Sequence, residues 1–350
     1  MSDLRQAWPR PAAPRPIVFV GAGAIVRTAH LPAYTRLRLP IAGMFDLCRA
    51  TADQTSRQFG GLRVFATLAE AATTAGAIFD VAVPGKEIAG VLAQLPRGSA
   101  VLIQKPMGET LAAARQILDV CRERDLVAAM NFQLRFSPNM MALADLVAGD
   151  RLGDLIDIEV RIVDRQPWEQ WTFLKHAPRL EVLYHSIHYL DAIRWIAGEP
   201  EGVMCRAVAH PQFEDFADTR STIVLDYGDR IRCSLVLNHT HVFDERHRES
   251  MLKVEGTAGA ALLTLGVNLE YPSGPADRLE VAIDGTWRPV ALSGSWFTEA
   301  FEGPMSNLQR FVAGEDRALV SPVSDAIKTM ALVEACYTSS AGASTPIPAV

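Results

Sequence analysis

The chain has 350 residues, which at roughly 150 residues per domain predicts about two domains. Its apolar fraction is 49% and its charged fraction is 21%, and these ordinary globular values exclude a disordered or low-complexity chain. Acidic residues outnumber basic ones by 40 to 34, for a formal charge of −6, and the sequence has no basic stripe. Neither nucleic acid nor a membrane surface is therefore an expected partner.

Cysteine usage and the N-terminal segment predict a cytoplasmic protein. The five cysteines include no C-x-x-C pair, so neither a disulfide framework nor a structural zinc site is expected. Residues 1–15 are proline-rich and lack the apolar stretch of a signal peptide, so we expect a flexible leader and no export. The sequence has no run of about 18 apolar residues, so no membrane span is expected.

From Pro16 onward, apolar runs alternate with helical, alanine-rich segments. Runs that are apolar throughout are typical of strands buried on both faces, and strand–helix alternation predicts a doubly wound parallel sheet. We therefore expect an α/β Rossmann domain over residues 16–130. Its six candidate strands lie in residues 16–23, 39–46, 63–67, 78–85, 100–106 and 126–132.

The first apolar run leads directly into GAGAIV, residues 21–26. Gly21 would permit a tight turn, and Gly23 would let the backbone approach a pyrophosphate at the N-terminus of the next helix. Val26 stands where the G-x-G-x-x-G fingerprint has its third glycine, which serves packing rather than phosphate contact. The alternative is a tight turn that binds no ligand.

Asp46 follows the second predicted strand, where a carboxylate accepts hydrogen bonds from the adenine ribose and repels a 2′-phosphate. This favours NAD, and NADP stays open because Arg49 would stack on adenine or accommodate a phosphate. A helix N-cap is the alternative role of Asp46.

Gln104-Lys105-Pro106 ends what the pattern predicts as the fifth strand. Ligands of doubly wound sheets lie beyond the carboxyl ends of the strands, and Pro106 keeps Lys105 extended. A partly desolvated lysine there would exchange a proton with a hydroxyl group. The alternative is a lysine that extends its ammonium group into solvent.

Several segments, taken in order, resemble the glucose–fructose oxidoreductase / inositol dehydrogenase (Gfo/Idh/MocA) family. GAGAIVRTAHLPAY resembles the cofactor turn with its H-x-P, QKP resembles the E-K-P motif, and NFQLRFSPNM resembles the start of the second domain. YHSIHYLDAIRWIAGEP resembles the family's D-x-G-x-H-x-x-D helix. DLIDIEV and MLKVEGTAGAALL resemble strands of its C-terminal sheet. The segments span residues 21–34, 104–106, 131–140, 184–200, 154–160 and 251–263.

The resemblance implies an NAD(P)-dependent oxidoreductase acting on sugars, polyols or related hydroxy compounds. It implies that Lys105 and His188 flank the reacting carbon. It also implies an α+β second domain, over residues 131–350, whose open and mostly antiparallel sheet pairs subunits into a homodimer or homotetramer. We expect the C-terminal helix, at about 324–340, to pack back on the first domain.

Three positions depart from the family pattern. Gln104 replaces a glutamate, Tyr184 replaces an aspartate, and Arg179-Leu180-Glu181 replaces a glycine-rich stretch. The first two remove carboxylates from the expected proton-transfer site. They motivate an alternative function, a cofactor-binding sensor or regulator with impaired catalysis.

The segment 182–197 predicts a helix that ends at Gly198. Tyr184, His188 and Asp191 are spaced to share one face, so Asp191 would orient His188 for proton transfer and Tyr184 would donate to the same oxygen. Core packing is the alternative for His188. His185 on the flank is a candidate substrate contact.

Arg135, Trp168 and Trp171 are candidates for the wall of the substrate pocket, and an aromatic loop packed on the sheet is an equal alternative for the tryptophans. His176 and Arg179 are candidates for a lid. His239 and His241 are predicted to share one face of a strand, near substrate or at a subunit interface. No bound metal is expected, although a metal-dependent lyase or hydrolase using the histidine pairs stays open.

The sequence therefore predicts a hydride-transferring oxidoreductase whose catalytic residues are Lys105, His188 and Tyr184 and whose substrate contacts are Arg135, Trp168 and His185. The expected cofactor contacts are Gly21, Gly23, Ala24, Ile25, Asp46, Arg49, Pro84 and Gln104.

Overall fold

A computed structural model describes residues 3–348. The strands are β1 Ile17–Val20, β2 Ile41–Phe45, β3 Ile78–Val81, β4 Ala100–Ile103, β5 Val127–Met130, β6 Leu155–Val163, β7 Gly202–Val208, β8 Arg220–Asp226, β9 Arg232–Asn238, β10 Glu249–Gly256, β11 Gly259–Thr264, β12 Arg278–Ile283 and β13 Thr286–Pro289. The α-helices are α1 Leu31–Arg36, α2 Arg49–Gln58, α3 Leu68–Ala72, α4 Ile88–Leu92, α5 Leu111–Glu123, α6 Pro138–Ala148, α7 Ile187–Ala197, α8 Gly266–Leu269, α9 Glu302–Val312 and α10 Val323–Ala341. Two π-helical segments, Val26–His30 and Val182–Ser186, directly precede α1 and α7.

The chain divides into two compact units. Unit 1 comprises residues 1–145 and 291–330, and unit 2 comprises residues 146–290 and 331–350. The domain boundary near residue 130 stays a prediction, and the two compact units divide within α6, after residue 145. The C-terminal helix α10 begins in unit 1 and ends in unit 2.

Unit 1 contains a five-stranded parallel sheet in the order β2-β1-β3-β4-β5. Strands β1, β3 and β4 are buried at every position, which confirms the prediction of a sheet covered on both faces. The run 63–67 is not a strand: it forms a single bridge, from Val64 to Met44. QKP therefore follows the fourth strand and not the fifth. Residues 3–15 lie along this unit, where the Trp8 indole donates to Asp316.

Unit 2 contains an eight-stranded sheet in the order β13-β12-β11-β10-β6-β9-β8-β7. Its pairs are antiparallel except β6 with β9, so the sheet is mixed and mostly antiparallel, as expected. Burial alternates along β6, β8 and β10, which places one face of the sheet in the core and leaves the other more exposed. Among the helices within residues 3–348, none combines the length and the apolar character that crossing a bilayer requires.

Candidate functional site

The turn after β1 has the geometry of a phosphate-binding turn. Gly21 has φ +99°, and a Cβ built there would lie 2.3 Å from the carbonyl oxygen of Ala82, so only glycine fits. A Cβ on Gly23 would meet nothing within 4 Å. The Cβ direction of Gly23 therefore points into open space beside the start of a helical segment, and a pyrophosphate needs such room close to the backbone. Ala24 and Ile25 are also accessible there.

Asp46 connects the ends of β1 and β2. Its carboxylate accepts one hydrogen bond from the Ala22 backbone N–H and another from the Cys48 backbone N–H, each 2.8 Å long. Asp46 is not the N-cap of α2, since Cys48 occupies that position. Arg49 forms a 2.9 Å ion pair with Asp53 one turn along α2. Asp46 is thus held in place by the turn itself, and each oxygen retains acceptor capacity for a ribose hydroxyl.

Lys105 is the second residue after β4, at the same edge of the parallel sheet. The Lys105 backbone N–H donates to Oε1 of the buried Gln104 at 3.0 Å, and the Lys105–Pro106 peptide is cis. Desolvation by burial lowers the pKa of Lys105 to about 8. From β1 the chain builds the sheet to one side with β2 and to the other side with β3, and ligands of such sheets bind at this point of reversal. β4, which Lys105 follows, is the neighbour of β3. Lys105 is therefore a basic side chain poised near neutral pH at the expected ligand-binding edge. Pro84 is exposed in the loop after β3 at this edge.

Sequence reasoning missed a buried polar network beneath the cofactor turn. The Asp80 carboxylate on β3 accepts from the Tyr34 hydroxyl at 2.5 Å and lies 2.8 Å from Nδ1 of His30. The other ring nitrogen of His30 lies 3.2 Å from the Asn131 amide. All four residues are fully buried, so the network ties β3 and the residue after β5 to the helical segment that follows the turn. In the sequence, the only sign of this network is His30, the histidine of the H-x-P segment.

In unit 2, the predicted helix over 182–197 is a π-helical segment followed by α7, and it ends at Gly198 with φ +84°. The extra residue in the π-helical turn shifts Tyr184 relative to His188, so the expected i, i+4 alignment does not hold strictly. His188 and Asp191 are buried, whereas Tyr184 is half-buried. Asp191 lies 3.9 Å from Arg194 in an ion pair.

A second buried cluster surrounds His239. Its Nδ1 lies 2.7 Å from Asp164, and its Nε2 lies 3.2 Å from Glu181. Burial alone would lower the pKa of His239, but the two carboxylates outweigh it and raise the pKa to about 9. The ring of His185 lies 3.9 Å from that of His239, measured between centroids. Both predicted strand histidines follow β9, which ends at Asn238, so neither lies on the strand. His241 contacts the Asp244 carbonyl oxygen.

Some residues predicted to line the substrate pocket are bonded or packed within the protein, and others are accessible. Arg135 is buried in unit 1, where it donates to Asp325 and to the Val320 carbonyl. Arg179 forms two 2.7 Å hydrogen bonds with Glu334, which makes it an anchor for the loop rather than a lid. Trp168 is buried in a small core with Leu174, Leu180 and Phe216, as the packed-loop alternative predicts, while Trp171 is half-buried.

Two family models match the chain. One, described as "Oxidoreductase family, NAD-binding Rossmann fold", matches residues 15–132, and the other, described as "GFO/IDH/MocA C-terminal domain", matches residues 140–262. The first defines unit 1 as part of an NAD(P)-binding oxidoreductase. Because the two models together match more than half of the sequence, this chain belongs to the Gfo/Idh/MocA oxidoreductase family.

Individual relatives are distant. A D-apiose dehydrogenase from Rhizobium rhizogenes is 23% identical over 70% of this chain and 71% of its own length. A trans-1,2-dihydrobenzene-1,2-diol dehydrogenase from Bos taurus is 27% identical over 54% of this chain. The alignment spans 58% of the bovine protein, and a match to an uncharacterised Sinorhizobium fredii protein spans 38% of that one.

The fold recurs in solved structures. An oxidoreductase from Agrobacterium radiobacter, solved in complex with NAD+, L-tartaric acid and magnesium, superposes with a TM-score of 0.78. The match covers 94% of this chain and 97% of that one at 19% identity. At that identity the likeness shows a shared fold.

Proposed function

We propose that this protein is an NAD-dependent dehydrogenase that transfers hydride between nicotinamide and a hydroxyl-bearing carbon of a sugar, polyol or related hydroxy compound. The observation that carries the proposal is Lys105: a lysine at the ligand-binding edge of a Rossmann sheet whose pKa is lowered to about 8. Moving a hydride from an alcohol carbon requires removal of the hydroxyl proton, and a group of this pKa exchanges protons near neutral pH.

The residues around the β1 turn fit a dinucleotide. In this proposal the backbone at Gly23, Ala24 and Ile25 holds the pyrophosphate, and Asp46 accepts hydrogen bonds from the adenine ribose. A fixed carboxylate at Asp46 repels a 2′-phosphate, which favours NAD over NADP. When bound, the nicotinamide accepts or returns the hydride, and the protein supplies binding and orientation.

The chain's own residues handle the proton. The neutral amine of Lys105 accepts the proton of the substrate hydroxyl during oxidation and returns it during reduction. We assign His188 a second proton-transfer role and Tyr184 a hydrogen-bonding role. Gln104 is neutral where a carboxylate would stabilise the ammonium form, so it helps to keep the pKa of Lys105 low.

The substrate class is supported by what the relatives are named for. One is named for a sugar and another for a cyclic diol, and both carry vicinal hydroxyl groups. The half-buried aromatic residues Trp171 and Tyr184 in unit 2 suit the apolar face of such a ring.

The test is NADH formation by the purified protein with NAD and a panel of sugars, polyols and hydroxy acids, alongside calorimetric titration with NAD. The proposal expects NAD binding and turnover of at least one class in the panel. Tight NAD binding with no turnover of any panel member would instead favour the sensor alternative.

We also propose that the protein forms a homodimer or homotetramer through the open face of the unit 2 sheet. Large apolar side chains are exposed on these strands, among them Met204 at 62% and Trp287 at 44%. Light scattering should report a multiple of the 38.2 kDa chain, and Met204→Glu should shift it toward the monomer. A wild-type monomer at micromolar concentration would contradict this assignment.

A further inference from the structure

Unit 2 holds a cluster of metal-ligating side chains that the proposed dehydrogenase function does not use. Asp164 and His239 are fully buried, and His185 is half-buried beside them. We propose that Asp164, His185 and His239 form a binding site for one divalent transition-metal ion, with Zn²⁺ as the preferred ion. His185 and His239 belong to the histidine pairs for which the sequence leaves a metal open, and the structure adds Asp164, which is 75 positions from His239 in the sequence.

The ligand atoms are close enough for one ion. One ligand atom from each of the three residues lies within 4.8 Å of the other two. Two ligands of a tetrahedral Zn²⁺, each at about 2.1 Å, are about 3.4 Å apart. Nδ1 of His239 and the Asp164 oxygen, which are 2.7 Å apart, would therefore have to separate by about 0.7 Å, which a small side-chain rotation allows. Two imidazoles and one carboxylate are a ligand set that catalytic zinc sites use.

The neighbours of the cluster orient its ligands as outer-shell residues do in metal sites. Glu181 lies 3.2 Å from Nε2 of His239, which leaves Nδ1, on the Asp164 side, as the ligand atom. Gln166 donates to one oxygen of Asp164 at 2.6 Å, so the ion would bind the other oxygen in place of its 2.7 Å hydrogen bond with Nδ1 of His239. A carboxylate–histidine–metal arrangement fixes the tautomer and raises the basicity of the ligand.

The charges of the cluster also fit a divalent ion. Asp164 and Glu181 are both fully buried, and Ser221 donates to Glu181 at 2.5 Å. Buried carboxylates require compensation by positive charge or metal. His239 lies between these two carboxylates and bonds to both, and a divalent ion that took the place of the hydrogen bond between His239 and Asp164 would balance the two charges.

An indole N–H lies beside the cluster. The Trp168 ring is edge-on to both imidazoles, with centroid distances of 6.2 Å to His185 and 5.9 Å to His239. Its Nε1 is buried and has no acceptor among the described residues. Three protein ligands leave one position of a tetrahedral ion open, and an oxygen ligand there would give this N–H an acceptor.

The site is tested by metal content. The purified full-length protein is treated with a chelator, reloaded with ZnCl₂, passed through a desalting column and analysed for zinc, and a parallel sample is loaded with Co²⁺ for visible spectroscopy. We expect one zinc per chain and cobalt absorption bands typical of four or five nitrogen and oxygen ligands. Neither readout depends on dehydrogenase activity, so the outcome is separate from that of the proposed function.

The half-buried ligand gives the decisive variant. His185→Ala should lose the bound zinc and the cobalt bands while keeping the wild-type circular dichroism spectrum, and Asp164→Asn should do the same if it folds. His247→Ala, which removes an exposed histidine from the same unit, should retain one zinc. The proposal is overturned if wild-type protein retains no metal, or if His185→Ala retains as much as His247→Ala.

Discussion

Replacing Lys105 tests whether the lysine at the end of β4 performs proton transfer. At a pKa of about 8, about one Lys105 in eleven is neutral at pH 7, whereas an ordinary lysine is neutral in roughly one of three thousand molecules. Positioned proton transfer contributes about a hundredfold to ten-thousandfold to a rate. Lys105→Ala should therefore lower kcat/KM by about that factor.

The pH profile separates this role from a structural one. For alcohol oxidation, kcat/KM of the wild type should rise with pH and level off above about pH 8, because the neutral amine is the base. In the reductive direction the ammonium is the acid, so the rate should fall above the same pH. Lys105→Ala should lose this inflection, while Lys328→Ala, which removes an exposed lysine, should keep both the rate and the profile.

The stability of a second variant, Lys105→Met, shows whether a loss of activity on replacing Lys105 results from unfolding. Lowering the pKa of Lys105 from 10.5 to about 8 corresponds to about 3 kcal/mol of disfavoured charge in the folded protein. Because the unfolded chain binds the proton more tightly, stability should rise between about pH 8 and pH 10.5. Lys105→Met should then raise the free energy of unfolding at pH 7 by up to about 3 kcal/mol.

Unchanged activity in Lys105→Ala, or an inflection near pH 8 that persists in this variant, would refute the proton-transfer role of Lys105.

Four further changes test the remaining assignments. Gly21→Ala places a Cβ 2.3 Å from the Ala82 carbonyl at φ +99° and should cost at least about 2 kcal/mol of stability, seen in urea unfolding. Gly23→Ala meets no atom within 4 Å, so it should fold normally yet bind NAD at least about tenfold more weakly in calorimetry. Asp46→Ser should shift the ratio of NAD to NADP affinity toward NADP by about tenfold or more, and an unchanged ratio would contradict the assignment. His188→Ala should lower kcat by about a hundredfold with little change in NAD affinity.

The fold of unit 1 was largely predictable because its strands are apolar at every position, a pattern that local sequence displays. The exception is residues 63–67. This run is apolar at Val64 and Phe65, but it pairs with β2 only around Met44. How far two segments pair depends on the long-range geometry of the sheet, which the local sequence does not display. The division of the chain was harder to predict because α6 and α10 each belong to both units.

The candidate site was predictable only where its residues are neighbours in sequence. Gly21 and Lys105 follow strands directly, so strand prediction placed them at one edge of the sheet. Asp164 and His239 are 75 residues apart and meet because β6 and β9 are parallel neighbours, a pairing that no local pattern displays. The π-helical turn before His188 likewise left no mark in the spacing of apolar residues.

The transfer of deuterium tests the central claim of an NAD-dependent dehydrogenase most directly. Substrates from the hydroxy-compound panel, deuterated at the carbinol carbon, are incubated with wild-type protein and NAD, and the cofactor is analysed by mass spectrometry. The proposed function predicts that deuterium appears on the nicotinamide ring with wild-type protein and far more slowly with Lys105→Ala. NAD that binds tightly but gains no deuterium from any member of the panel would contradict it.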